Sequence, residues 1–241
     1  MIPWVGPRQA FPPVEQALTD PNGLLAASRT LHAAQLIDAY RHGIFPWYSD
    51  NEPVLWWSPD PRLVLKPANF KVGRSLRKRL RQVLADSSIE VVVDRGFAAV
   101  MRECAAPRAQ QDGTWITPQV QGAYGELHQQ DLAHSVETWA NGALIGGLYG
   151  VAMGRMFFGE SMFSRQTDAS KIALATLVRM MQIEQVALID CQQETAHLLS
   201  LGAQTMARST FCAQVDAAAQ ATPIDWTQYR GGDLKSLLAD L

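Results

Sequence analysis

The chain has 241 residues, 47% of them hydrophobic and 18% charged, and its formal net charge of -2 at pH 7 excludes a basic surface spread over the whole protein. No segment has the roughly 20 consecutive apolar residues of a membrane span or the apolar centre of a signal peptide, so we expect a cytoplasmic protein with no membrane contact. The 3 cysteines are widely spaced without a CxxC pair, and no GxxxxGK[ST] motif is present, so we expect no metal, no disulfide framework and no cofactor.

The N-terminal part of the chain is rich in proline, tryptophan and turn signals, and it contains one predicted helix. This helix runs from about Leu31 to His42, with Thr30 as its expected N-cap and Gly43 as the residue that ends it. The segment that follows, GIFPWYSDNEPVLWWSPDPRLVL, has too many prolines for regular structure. We therefore expect residues 1–62 to form a small N-terminal domain.

From residue 63 to residue 241, short apolar strands alternate with amphipathic helices. Thr117-Pro118 predicts a helix start, Asn141-Gly142 between two apolar runs predicts a β-hairpin, and Asp94 is the expected cap of another helix. The pattern predicts a second domain of the α/β class, with a mixed sheet whose middle strands are antiparallel. Its predicted strands are Leu63–Lys66, Ile89–Val93, the two arms of the hairpin, Phe157–Phe163 and Val186–Asp190, and its predicted helices include Arg74–Ala85, Phe97–Cys104 and Ser170–Gln182.

The stretch FFGESMFS places a carboxylate, Glu160, in the middle of an apolar strand. A carboxylate in such a run is costly to desolvate, so it is normally paired or functional. An ion pair with Arg155 or Arg165 is the structural alternative, and buried pairs of this kind do occur without a function. Glu160 is therefore a candidate site residue with one open alternative.

A second candidate lies in VALIDCQ, a buried strand with polar side chains at its carboxyl end. Side chains alternate along an extended chain, so Asp190 and Gln192 are expected on one face and Cys191 on the other. Capping of the following helix by Asp190 is an equally good interpretation. We expect Cys191 to be a small buried thiol rather than a nucleophile, because no histidine partner is evident. Together with Glu160, these side chains would suit a cationic or amine substrate.

The helix RSLRKRLRQVLA carries a continuous stripe of four basic side chains, and apolar side chains form its other face. A solvated helix face usually mixes both signs of charge, whereas this one has no acid before Asp86. Contact with phosphate groups is therefore favoured over simple solvation. The basic stripe consists of Arg74, Arg77, Lys78 and Arg81, and the expected buried face of Leu76, Leu80, Val83 and Leu84.

Tryptophans in irregular segments are candidates for stacking on a nucleobase. Trp47 follows the GIFP turn, and Trp115 lies in GTWIT at the end of a polar loop. Packing between the domains is the alternative for both residues, and it is the preferred interpretation for Trp56 and Trp57.

Seven motifs occur in an order that resembles the leucyl/phenylalanyl-tRNA–protein transferase family: GIFPWYS, LWWSPDPR, GTWIT, GGLYGV, FFGESMFS, DASK and LIDCQ. The resemblance runs from Pro21 to about Ala203. It implies a small N-terminal domain followed by a GNAT-like, that is acetyltransferase-like, catalytic domain. It also implies an enzyme that moves Leu or Phe, with Met as a further candidate, from aminoacyl-tRNA (Leu-tRNA or Phe-tRNA) to acceptor proteins with an N-terminal Arg or Lys, which marks them for degradation.

The resemblance further implies roles for the polar and aromatic candidates. Asp190 and Gln192 correspond to the catalytic pair of the family, and Glu160 to its active-site glutamate. Trp47 and Trp115 correspond to the tryptophans that hold the terminal adenosine of the tRNA.

The same resemblance implies a pocket for the amino-acid side chain and a grip on the tRNA. The basic stripe falls where the family contacts the phosphates of the acceptor end. The pocket positions are Leu148, Gly159, Leu177 and Met181.

The reaction fits the chain because attack of an amine on an aminoacyl ester gives an amide of lower free energy. No nucleotide hydrolysis is therefore needed to drive it. The main rival is an acyl-CoA-dependent N-acetyltransferase, which usually cradles pyrophosphate in a glycine-rich turn; the corresponding stretch SRQTDASK has no glycine. A noncatalytic RNA-binding module is a second alternative, but it gives no function to Glu160, Asp190 and Gln192. A cell-wall peptidyltransferase would differ in its acceptor, and the residues alone do not separate it from the first hypothesis.

Overall fold

A small antiparallel sheet forms the N-terminal part of the computed structural model, which describes residues 2–106 and 114–241. Its strands are β1 (Leu24–Ser28), β2 (Phe45–Pro46) and β3 (Val54–Trp57), in the order β1-β3-β2. Regular structure therefore exists in the proline-rich segment, contrary to the prediction, because its prolines lie at the edges of short strands.

Helix α1 (Ala33–Arg41) connects β1 to β2. The prediction that Thr30 caps it is wrong: the N-cap residue is His32, and the Thr30 hydroxyl is hydrogen-bonded to the His32 ring at 2.9 Å. Gly43 follows the helix at a φ of 71°, as expected for a glycine that ends a helix.

A seven-stranded sheet forms the rest of the molecule, in the order β10-β4-β9-β8-β7-β6-β5. Neighbouring strands are antiparallel except β8 and β9, which are parallel, so the predicted mixed α/β sheet with an antiparallel middle is confirmed. The Asn141-Gly142 hairpin is also confirmed. The strands are β4 (Arg62–Leu65), β5 (Ile89–Val93), β6 (Ala133–Ala140), β7 (Ala143–Met153), β8 (Met156–Ser164), β9 (Ile189–Gln192) and β10 (Gln204–Met206).

Helices cover both faces of this sheet. On one face, α2 and α5 pack in a core with β5 and β7, and on the other, α3, α4 and α7 share a core with α1 and the small sheet. Because this second core is continuous with the N-terminal segment, the boundary between residues 62 and 63 stays a prediction. The helices are α2 (Arg74–Ala85), α3 (Phe97–Ala105), α4 (Pro118–Gln129), α5 (Ala169–Ile183), α6 (Ala196–Ser200) and α7 (Arg208–Ala219).

Of the caps predicted for α3 and α4, only that of α4 forms. The Thr117 hydroxyl accepts a hydrogen bond from the Val120 amide, so the predicted cap of α4 is confirmed. The predicted cap Asp94 is wrong, because Gly96 occupies the N-cap of α3. Asp94 instead accepts hydrogen bonds from the Ser135 amide and from Arg230 of the C-terminal tail. A carboxylate does not cap the neighbouring helix when a long-range ionic partner binds it more strongly.

Strands β8 and β9 separate after a short paired stretch. They pair only through Phe157 with Ile189 and Phe158 with Asp190, after which β8 continues along β7. The predicted strand Val186–Asp190 thus begins later and ends later than expected, at Ile189–Gln192. The separation leaves a gap in the sheet, and backbone and side chains of both strands face that gap.

Within residues 2–106 and 114–241, no helix combines the length and the apolar character that a membrane span requires.

Candidate active site

A cavity of about 900 Å³ opens where β8 and β9 separate. Glu160 and Gln192 lie at its polar side, just past the last paired residues of the two strands. Trp47 and Tyr48 from the N-terminal segment line it as well. Both parts of the chain therefore contribute to one cavity.

A fully buried ion pair contributes Asp190 to the wall of this cavity. The Arg62 Nε donates to Asp190 Oδ1 at 2.8 Å and its Nη2 to Asp190 Oδ2 at 2.6 Å, and neither side chain has exposed surface. The guanidinium lies 4.6 Å from the ring centroid of Phe45 and 4.7 Å from that of Phe211, and Nη1 donates to the Gly43 carbonyl. Such a bidentate, sandwiched pair fixes Asp190 in one orientation.

Asp190 also holds the backbone of Gln192, since its Oδ1 accepts a hydrogen bond from the Gln192 amide at 2.9 Å. Gln192 has a φ of 61°, so the strand alternation that predicted Asp190 and Gln192 on one face does not extend to Gln192. The alternative of Asp190 as a helix cap is wrong, because Thr195 caps α6. Both oxygens of Asp190 accept hydrogen bonds from Arg62 or Gln192, and its side chain has no exposed surface, so its direct contacts are with these two residues.

Cys191 lies between these two residues. Burial raises the pKa of its thiol well above its ordinary value, and the nearby Asp190 carboxylate raises it further. The thiol is therefore protonated at neutral pH and is not an activated nucleophile, as expected from the sequence. The expectation that it is buried is wrong, because Cys191 is partly exposed and lines the cavity.

Glu160 accepts two hydrogen bonds from side chains on other elements. The Tyr124 hydroxyl donates to Oε2 at 2.9 Å, and the Gln192 Nε2 donates to Oε1 at 2.8 Å. Burial raises the pKa of Glu160 to about 7, although the nearby hydroxyl groups of Tyr40 and Tyr124 oppose the shift. A carboxyl that titrates near neutrality inside a cavity is typical of a functional group.

The predicted structural alternative for Glu160, an ion pair with Arg155 or Arg165, is wrong. Arg155 pairs with Glu184 and Arg165 with Glu103. Glu160 thus remains available to the cavity.

Both candidate tryptophans line the cavity. The Trp47 side chain is 45% exposed and contacts the Trp57 ring edge to face, with 5.8 Å between ring centroids. Trp115 is partly exposed; the part of its loop at residues 107–113 lies outside the described residues. Trp56 and Trp57 are buried, so their preferred interpretation as packing residues is confirmed.

Most of the apolar residues on one side of the cavity belong to the core around α5, whereas Glu160 is bound by Tyr124 of the other core. Three of the four predicted pocket residues, Leu148, Gly159 and Leu177, line the cavity, whereas Met181 is fully buried in the core around α5 and is not one of the lining residues. The lining on this side also includes Phe157, Leu174, Ile189 and Leu198.

The basic stripe on α2 is exposed along its whole length, and its four side chains form no ion pair with any described residue. Its members do not line the cavity. Lys78 instead lines a separate groove of about 600 Å³ together with Arg79, Arg165 and Asp168. Three of the four expected core residues of α2 are buried, and Leu84 is partly exposed.

The sequence interpretation missed three residues of the site: Arg62, Tyr40 and Tyr124. In the sequence, Tyr40 and Tyr124 lie at apolar positions of helical stripes, yet each is fully buried and has a hydroxyl that requires a partner. That requirement is the signal that points to them. No local signal connects Arg62 to Asp190, which is 128 residues away in the sequence.

Comparison with known proteins gives consistent matches over most of the chain. The family model described as leucyl/phenylalanyl-tRNA protein transferase matches residues 64–216, and that of its N-terminal domain matches residues 29–60. The leucyl/phenylalanyl-tRNA–protein transferase of Paraburkholderia xenovorans is 59% identical over 230 residues, covering 94% of each chain. That of Paraburkholderia phymatum is 55% identical over 243 residues, covering 99% of each chain.

Solved structures resemble the fold more distantly. A GCN5-related N-acetyltransferase-like protein from Streptococcus suis is 15% identical with a TM-score of 0.34, covering 75% of this chain and 67% of its own. L-PGS from Bacillus licheniformis is 9% identical with a TM-score of 0.39, covering 71% of this chain and 54% of its own.

Substitution of Arg62 by methionine should reduce the free energy of unfolding by about 3–5 kcal/mol, because it leaves the Asp190 carboxylate buried without its partner. Urea denaturation measures the loss. The control is the double variant Arg62→Met, Asp190→Leu, which removes both charges and should recover most of the stability. A double variant no more stable than Arg62→Met would contradict the interpretation that an unpaired buried charge causes the loss.

Substitution of Glu160 by glutamine should stabilise the protein more at pH 8 than at pH 5, by about 2 kcal/mol. The folded-state pKa of Glu160, about 7, lies above its ordinary value of 4.5. Ionisation therefore costs stability as the pH rises through 7, and glutamine avoids that cost. Denaturant titrations at both pH values measure the difference. Glu126→Gln, at an exposed position on α4, should show no such change between the two pH values, and an equal effect of the two substitutions would refute the burial argument.

Proposed function

The chain belongs to the leucyl/phenylalanyl-tRNA–protein transferase family, and on that premise we propose that it transfers leucine or phenylalanine to the N-terminal arginine or lysine of acceptor proteins. Transfer of an aminoacyl group from tRNA to a protein is the reaction of this family. The observation that supports the finer proposal is the cavity between β8 and β9, where Glu160 and Gln192 face an apolar pocket. We further propose that the reaction takes place in the cytoplasm and marks the acceptor for degradation.

The reaction needs orientation more than strong base catalysis. The donor is an ester and the product an amide, so the transfer goes downhill. An α-amine has a pKa near 7.7–8.0, so roughly a tenth to a sixth of its molecules are neutral at pH 7. The remaining tasks are to hold the amine against the ester carbonyl and to stabilise the tetrahedral oxyanion.

Gln192 is the group that orients the attacking amine. Its Nε2 donates to Glu160, which leaves the carbonyl oxygen Oε1 free to accept a hydrogen bond from the amine. An amide is too weak a base to keep the proton, so the proton passes on to water or to a substrate hydroxyl. Asp190 acts as a positioning residue in this scheme, since its oxygens are bound to Arg62 and to the Gln192 backbone.

The aromatic and apolar linings suit the donor. Trp47 and Trp115 have indole surface facing the cavity, and stacking on the terminal adenine is the contact that such surfaces provide. The pocket walls of Leu148, Leu177 and the neighbouring apolar residues accept a leucine or phenylalanine side chain, and Gly159 leaves room beside them.

The charge of the cavity favours a cationic acceptor. Among the described residues that line it, four are acids, namely Asp50, Glu52, Glu160 and Asp190, and none is lysine or arginine. Asp190 is neutralised by Arg62, so Glu160 and the two exposed acids of residues 50–52 supply the negative field. Such a field attracts an N-terminal arginine or lysine and disfavours an acidic first residue.

The basic stripe provides the contacts to the tRNA phosphates. Arg74, Arg77, Lys78 and Arg81 project from α2 without ion-pair partners among the described residues, so phosphate contact costs no existing pair. They lie outside the cavity, as required for contacts to the acceptor stem while the 3' end enters the site.

The purified protein should transfer radiolabelled leucine from Leu-tRNA to a peptide that begins with Arg or Lys, and not to the same peptide beginning with Met. Scintillation counting of the peptide measures the transfer. Incubation with acetyl-CoA instead of tRNA should give no acetylated peptide.

The Gln192→Ala variant tests the proposed role of Gln192. We expect it to remain folded and to lose turnover by about 100-fold. Unchanged turnover would remove Gln192 from the mechanism. Acetylation of the peptide in place of aminoacyl transfer would overturn the proposed function.

Neutralisation of two residues of the basic stripe, Arg77→Gln with Lys78→Gln, should weaken tRNA binding and flatten its salt dependence. Four phosphate contacts predict a log-log slope of about -3 against salt concentration, and the double variant should reduce it to about -1.5. Fluorescence anisotropy at several salt concentrations measures both slopes. Arg8→Gln with Arg41→Gln removes the same charge from exposed positions outside α2; an equal flattening in this variant would contradict a specific role for the stripe.

A further inference from the structure

A chain of hydrogen bonds connects four separate elements at the site. The hydroxyl of Tyr40, on α1, contacts that of Tyr124, on α4, and the Tyr124 hydroxyl donates to Glu160, on β8. Glu160 in turn accepts from Gln192, on β9. Both tyrosines are fully buried, so no water shell competes for their hydroxyl groups.

The direction of each hydrogen bond in this chain depends on the ionisation of Glu160. An ionised carboxylate only accepts, so both Tyr124 and Gln192 must donate to it. Donation from Gln192 Nε2 fixes the amide with Oε1 directed away from Glu160. While Glu160 carries its charge, the side chain of Gln192 therefore presents its acceptor to the cavity.

We propose that Tyr40 and Tyr124 are positioning residues that hold Glu160 as a carboxylate and thereby keep the Gln192 carbonyl oxygen turned toward the attacking amine. The inference rests on the proposed function and names residues of the same site. When the proton is on Oε1, Glu160 has to donate it, and the side chain within reach of Oε1 is that of Gln192, whose acceptor is its own Oε1. The amide then turns, Nε2 faces the cavity, and a donor replaces the acceptor that the amine requires.

Glu160 is the member of its surroundings that titrates near neutrality. The groups that face it are Tyr40 from α1, Tyr124 from α4, Tyr149 from β7, Arg62 from β4, and Asp190 and Gln192 from β9. Burial raises the pKa of all three tyrosines well above 10, so they stay protonated donors. Arg62 and Asp190 neutralise each other, and the Tyr149 hydroxyl has no hydrogen-bond partner among the described residues.

The Tyr124→Phe variant tests this inference directly. It removes the hydrogen bond to Glu160, so the carboxyl should titrate about one pH unit higher than in the wild type. Carboxyl ¹³C NMR of protein labelled at glutamate measures the titration, and Glu160→Gln identifies the signal by its disappearance. Tyr40→Phe should shift the same signal in the same direction.

The transfer rate supplies a second readout. At saturating acceptor, the ratio of variant to wild-type kcat should be near one at pH 9 and should fall about tenfold at pH 6.5. The ionisation of the substrate amine is common to both enzymes and cancels in this ratio.

The matched control is Tyr229→Phe. Tyr229 also donates to a carboxylate, Glu184, at 2.8 Å, but neither residue lines the cavity. This variant should leave both the Glu160 titration and the rate ratio unchanged.

The possible failures are distinct. A wild-type enzyme that transfers no leucine overturns the proposed function, while the NMR titration still tests the positioning of Glu160. A wild-type enzyme that transfers leucine, with an unshifted Glu160 signal in folded Tyr124→Phe and Tyr40→Phe, overturns the inference alone. If one of these two variants does not fold, the other decides the outcome.

Discussion

The ion pair between Arg62 and Asp190 is the interaction on which the geometry of the site depends. Two charges without exposed surface are tolerated because the guanidinium is paired bidentately and packed between Phe45 and Phe211. These contacts join the small sheet, two strands of the large sheet and α7. They also fix Asp190 as the acceptor that holds Gln192 in its left-handed conformation. In the proposed mechanism, a residue named as catalytic by resemblance thus acts through its neighbour.

The gap between β8 and β9 is lined by different kinds of residues on its two sides. The face packed by α5 supplies an apolar pocket, and the face packed by α1 and α4 supplies the tyrosines that bind Glu160. A sheet with both faces covered would normally have no opening between its central strands. Separation of two parallel strands provides one without exposing the core, since the freed backbone lies against the cavity.

Local signals in the sequence predicted the elements well where no distant partner competes. Helix α2 and strand β5 have the predicted bounds, and the Thr117 cap and the Asn141-Gly142 turn form as expected. Predictions failed where a partner far along the chain determined the local structure. Asp94 binds Ser135 and Arg230 rather than capping α3, and the N-terminal strands form through pairing with β3 despite their prolines.

The sequence by itself determined the α/β class, the family resemblance, the candidates Glu160, Asp190 and Gln192, and the basic stripe, because periodicity, turn residues and motifs are properties of short segments. Only the tertiary structure decided which of these residues touch the cavity, that Asp190 is bound by Arg62, and that Tyr40 and Tyr124 reach Glu160. It also separated Leu177, which lines the cavity, from Met181, one helical turn further on and buried in the core. The reason is physical: the state of a buried charge or hydroxyl depends on partners that folding brings from distant segments, and no local pattern encodes their distance.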